Sequence, residues 1–220
     1  MTERALNTRR PAVPSLRRWL ARLPLGTSNL IALVLIALLS TLSFWVIQRD
    51  LLRQKSEAAL MNTAGSQRML VQRIVLKTNE LMTVAEENLE ALVSVEIVEQ
   101  ELEPRRNEIL GLADRMERNH AALAHGADPR FAEHMTPTIR ALYFGPDGDL
   151  DARFHSYLAE VRGIAALAPI ELAGLHTLEF SRTLGNRTDA LLDRFERVTG
   201  QYQAEFEASL AFTRLHRQVL

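Results

Sequence analysis

Residues 60–85 read "LMNTAGSQRMLVQRIVLKTNELMTVA", and their spacing decides the fold class. Leu60, Ala64, Val71, Ile74, Leu81 and Ala85 recur in steps of three, four and seven. That period puts them on one face of an amphipathic helix and is incompatible with strand alternation. The pattern extends on both sides, to Leu92 and Val95 downstream. From Asp50 to Glu103 there is no proline and Gly65 is the only glycine. We therefore expect one long helix over that range, with Pro104 at a turn or in the first turn of the next helix.

Three further amphipathic segments follow. Ile109, Leu112, Met116, His120 and Leu123 form the stripe of a second helix, stopped by "HGADPR" at 125–130. A short segment to Tyr143 precedes "GPDGD" at 145–149, a strong turn signal. Phe154, Tyr157, Leu158, Val161, Ile164 and Leu167 mark a third helix ending at Pro169. Residues 170–186 read as a short helix and a turn around Gly185-Asn186. A fourth helix begins near Thr188, with Leu191, Phe195, Val198, Tyr202 and Phe206 inward. No segment alternates as a strand does. The expected fold is all-α, an N-terminal transmembrane helix followed by an antiparallel four-helix bundle.

The transmembrane assignment rests on residues 29–47, where "LIALVLIALLSTLSFWVI" from Leu30 to Ile47 carries no charge. At 1.5 Å per residue this run is about 27 Å long, close to a bilayer's hydrocarbon thickness. A cleavable signal peptide needs a shorter apolar core and a small-residue cleavage site, so an uncleaved anchor is the better reading. Residues 1–28 form a basic tail in which six arginines face one acid, Glu3. The positive-inside rule places that tail in the cytoplasm and residues 48–220 outside, in the periplasm of a cell with an outer membrane. An even number of helices returns the chain to the membrane. A second transmembrane helix and an output domain are then expected beyond Leu220.

Composition excludes several functions. The net charge of −1 offers nucleic acid nothing. With no cysteine there is no disulfide frame and no thiolate nucleophile. His120, His125, His134, His155, His176 and His216 show no HExxH pattern, so neither an enzyme nor a metal site is expected, and no cofactor. "DGDLD" at 147–151 fails as a calcium loop, with Ala152 and Leu158 where glycine and glutamate are needed. It reads as a turn in which Asp149 or Asp151 caps the third helix. His120 is expected to be a hydrogen-bonded core histidine, and Glu86, Glu87 and Glu90 a solvated face.

One part of the first helix breaks its own pattern. Gly65 costs about 1 kcal/mol relative to alanine in a helix interior. Arg68 and Arg73 lie near the apolar seam, where a guanidinium is costly unless paired. Gly65, Arg68 and Gln72 share a face at spacings of three and four. In a parallel homodimer through this helix, two Arg68 side chains could converge and repel. A small anion would remove that repulsion and offer planar, bidentate acceptors. The alternative is an arginine paired to a glutamate on a neighbouring helix.

"NTAGSQRMLVQRI" resembles the helix-one motif of the PilJ-type sensory domain of type IV pili methyl-accepting chemotaxis transducers. It is also similar to that of the NarX/NarQ-type nitrate/nitrite sensor kinases of two-component systems. Ala64, Gly65, Ser66, Arg68, Met69 and Arg73 carry the kinase-like pattern. Gln67, Leu70 and Gln72 are closer to the pili-type one. The resemblance implies a periplasmic signal-transduction sensor in the inner membrane that dimerises through helix one. It implies a ligand site of Arg68 and Gly65, with Ser66, Met69, Gln72 and Arg73 beside them, for an anion such as nitrate or nitrite. The other readings are a dimerising stalk, or a module that binds a periplasmic protein such as a pilin.

Overall fold

The computed structural model describes residues 25–175 and 178–219. Among them every regular element is a helix. These are α1 (Leu25–Glu90), α2 (Val95–Ala124), α3 (Pro129–Ala132), α4 (Pro137–Phe144), α5 (Leu150–Ala165), α6 (Pro169–Leu175) and α7 (Leu178–Val219). The chain divides into two compact units, Met1–Arg53 and Gln54–Leu220. Most of the basic tail, residues 1–24, lies outside the described residues, as does His176.

In the first unit, the apolar side chains from Leu30 to Ile47 are largely exposed, at 59% for Trp45 and 62% for Leu39. This helix is long and apolar enough to cross a membrane. Its apolar surface is open among the described residues, which is consistent with a membrane location. The Thr41 hydroxyl donates back to the Ala37 carbonyl at 2.8 Å, so it presents little polarity there.

The second unit is built on the stripe that opens this account. Leu60, Ala64, Val71, Ile74, Leu81 and Ala85 are all buried. Side-chain contacts set the pairing of helices. Between α1 and α2 they join Ser66 to Asn119, Gln67 to Met116, Arg73 to Glu108 and Asn88 to Glu101, rising numbers against falling ones. Arg162 of α5 reaches back to Asp114 and Glu117 of α2, each at 2.7 Å. Arg187 of α7 reaches Glu160 of α5. Phe154, Leu158 and Val161 from α5 and Leu191, Phe195 and Val198 from α7 fill the space between.

Three boundaries differ from the sequence expectation. The first helix stops at Glu90, not Glu103, and Leu92 and Val95 are exposed rather than core. The closure is a Schellman motif: Val93 N–H donates to the Asn88 carbonyl and Leu92 N–H to the Leu89 carbonyl, both at 3.1 Å. Leu92 occupies the left-handed position, φ 54°, where glycine is usual. Pro104 lies inside α2. Its missing N–H leaves the Gln100 carbonyl without its helix partner, which an exposed residue can offset with water. Gly185 and Asn186 form no turn, because α7 runs through them from Leu178.

The 145–149 turn behaves as expected, though its aspartate does not. A Cβ on Gly148 would lie 2.3 Å from the Ala141 and Leu142 carbonyl oxygens, so the turn admits only glycine. Asp149 stands at the N-cap of α5 but its carboxylate caps nothing. It binds Arg153 at 2.7 Å and Arg194 at 2.9 Å instead. Arg194 also donates to the Gly148 carbonyl, tying α7 to the turn.

Candidate functional site

Helix α1 separates the motif residues into two sets. Gln67 is fully buried and donates through Nε2 to the Met116 carbonyl at 3.1 Å. Ser66 is half-buried. Its hydroxyl donates to the Thr63 carbonyl at 2.8 Å and accepts from Asn119 at 3.1 Å. These two residues lock α1 against α2. Gly65, Arg68, Met69 and Gln72 take no part in that contact and are exposed; Arg73 is exposed too but reaches Glu108 of α2. Met69 is 64% exposed, and Leu76, two turns further, 57%.

Arg68 is therefore not in a buried seam within the chain. It lies 3.5 Å from Glu196 of α7, both side chains close to half exposed or more. Arg73 donates to Glu108 at 3.3 Å, beside Lys77, which contacts Glu80 and the same Glu108. Those two carboxylates raise the Lys77 pKa, so it stays charged. Exposed pairs of this sort contribute little, because water screens them and the long side chains lose freedom in making them. The guanidinium of Arg68 is loosely held and free to exchange partners.

Gly65 gives the clearest signal on the exposed side. Among the described residues a Cβ there would meet nothing within 4 Å. Packing inside the chain does not require glycine at this position. Asn62, Gly65, Met69, Gln72 and Leu76, all exposed, follow in steps of 3, 4, 3 and 4. That is the a/d spacing of a helix–helix seam.

A second cluster was not legible from any one motif. His120 near the end of α2 is 1% exposed and stacks on Phe154, centroids 3.8 Å apart. Its Nε2 lies 2.8 Å from Asp151 Oδ1 on α5. His125 Nε2 reaches the same oxygen at 2.9 Å, and His155 Nε2 comes to 3.8 Å. Burial, against the pull of Asp151, lowers the His120 pKa to about 4, so the ring is neutral at neutral pH. Burial also works against the Asp151 carboxylate, but hydrogen bonds from His120 and His125 outweigh it and hold its pKa below the usual value. His120 is thus the hydrogen-bonded core histidine expected. The spacings His120/His125 and Asp151/His155 were visible in sequence. Their convergence needed the packing of α2 on α5.

Residues 51–143 match PilJ, the type IV pili methyl-accepting chemotaxis transducer N-terminal family. No curated protein and no solved structure matches the chain. The match spans the motif of α1, all of α2 and the short helices to Tyr143. Together with the adjoining apolar helix, it supports a signal-transduction module of the chemotaxis-transducer type at a membrane.

Proposed function

We propose that the chain is the sensory part of a dimeric transmembrane receptor, its second unit an antiparallel four-helix bundle on the periplasmic side. The observation that carries this reading is the exposed 62–65–69–72–76 face of α1, with open space at Gly65. Two copies anchored in one membrane by the same helix must run parallel. Their like residues then meet across the axis, and Gly65 admits the partner's backbone. Arg68, on the flank of that face, is the docking point for a small anion, with Gln72 nearby and Arg73 in support; Ser66, turned toward α2, is not part of it. The resemblance to the nitrate/nitrite sensors makes those two ions the first probes. A ligand there changes helix packing at the seam, and such interfaces switch between discrete arrangements. In this reading the module does no catalysis itself.

A stalk is the second reading, and the Arg68–Glu196 contact favours it, since the arginine already has an acid beside it. Thermal unfolding of the full chain in detergent, with nitrate, nitrite and other anions at constant ionic strength, separates the two. A ligand that binds only the folded state raises the midpoint. The sensor reading expects a rise for one anion that disappears in Arg68→Ala and persists in Glu196→Gln. A midpoint indifferent to every anion in all three proteins supports the stalk and removes the anion site.

A further inference from the structure

We propose that His120, His125, Asp151 and His155 form a site for a divalent transition-metal ion of the zinc type, joining the end of α2 to the start of α5. Their potential ligand atoms all lie within 4.8 Å of one another. Three imidazoles and one carboxylate make a donor set of intermediate softness. It suits Zn(II), Co(II), Ni(II) or Cu(II) rather than the all-oxygen shells of magnesium and calcium.

The distances fit with small adjustments. Tetrahedral zinc with bonds of roughly 2.0–2.1 Å holds its ligand atoms about 3.3 Å apart. The three Asp151 contacts, 2.8, 2.9 and 3.8 Å, bracket that value. The ion would replace the two short hydrogen bonds and draw His155 in. Most of the movement falls on His125 and His155, whose side chains are 47% and 51% exposed. His120 is the fixed member, clamped on Phe154 with Tyr143 against its edge. A histidine that only needed burial with one hydrogen bond would be satisfied by Asp151 alone. Two further imidazoles converging on the same carboxylate oxygen are left without a role.

Protonation is also suitable. The ligating form of histidine is the neutral ring, and burial keeps His120 neutral. In the absence of metal its Nε2–H donates to Asp151. When the metal takes the Nε2 lone pair, the ring's one proton sits on Nδ1, and no proton is lost from that ring. Nδ1 is buried without a hydrogen-bond partner. A site lacking that outer bond binds roughly 10–100-fold more weakly than one possessing it. His120 follows Asn119, whose amide holds Ser66 of the α1 motif. A metal here therefore acts one residue from the contact that fixes α1 on α2.

The test uses the full chain without a histidine tag, in detergent, titrated with Co(II) and then Zn(II). The expected result is an intense tetrahedral Co(II) visible spectrum at one ion per chain, displaced by Zn(II), with a raised thermal midpoint. His125→Ala and His155→Ala, both at exposed side chains, each weaken binding by about tenfold or more, and the double variant abolishes the spectrum. His134→Ala, outside the cluster, changes nothing. Binding retained in the double variant overturns the proposal. So does a wild-type chain with neither the Co(II) spectrum nor a midpoint rise.

Discussion

Gln67→Met should stabilise the protein even though it deletes an interhelical hydrogen bond. Gln67 is fully buried, and its amide has two ends with different fates. The NH₂ must face Met116, because only a donor can bond that carbonyl. The oxygen then points into the interior without a partner. A buried unsatisfied acceptor costs about 1–3 kcal/mol, whereas the bond on the other side contributes about 0.5–1.5 kcal/mol. Methionine has nearly the same length and no polar group to satisfy. The Met116 carbonyl lies inside α2 and keeps its own helix donor, so the substitution orphans nothing. The net change is a gain of about 1 kcal/mol, or roughly 2–4 °C in midpoint for a folded unit of this size. Thermal unfolding followed by circular dichroism at the helix band measures it on the full chain in detergent. A midpoint lowered by a comparable amount refutes the reasoning, since it requires the amide oxygen to have a partner in the folded protein.

Three other substitutions test the local arguments by the same unfolding assay. Gly148→Ala forces a methyl against two carbonyl oxygens and should cost more than about 2 kcal/mol. Leu92→Gly should raise stability by up to about 1 kcal/mol, because it relieves a left-handed leucine that is 92% exposed and loses no packing. Arg68→Ala should change folding stability by less than about 1 kcal/mol, as the Glu196 it leaves behind is 64% exposed.

The long apolar stripes of α1, α2, α5 and α7 were readable because burial imposes a helical period on side chains. Leu60, Ala64, Val71, Ile74, Leu81 and Ala85 are all buried, as their spacing requires. The end of α1 was not readable, because its signal would have been a glycine and the chain uses Leu92, closing the helix with backbone bonds. Pro104 and Gly185-Asn186 misled in the opposite sense. Both are breakers by local preference, and both are overridden where the flanking residues have a core to pack against. The motif was legible as an anomaly, but not its division: the seven-residue stretch from Gly65 to Val71 alternates between locking α1 to α2 and facing outward. The histidine cluster could be read only in halves. His155 is one turn from Asp151 on α5, but His120 and His125 are 31 and 26 residues away and meet that aspartate only through the packing of α2 on α5.

A dimeric receptor of this kind requires the outward face of α1 to be a seam between two copies. The chain has no cysteine, so single substitutions report without background. Asn62→Cys, Met69→Cys and Leu76→Cys lie on that face at seven-residue intervals, and Glu103→Cys is an exposed position on α2. Mild oxidation of membranes carrying each variant of the full chain is the decisive measurement. The seam predicts disulfide-linked dimers at 62, 69 and 76 and none at 103. Dimers at 103 but not at 69, or at no position, would contradict it.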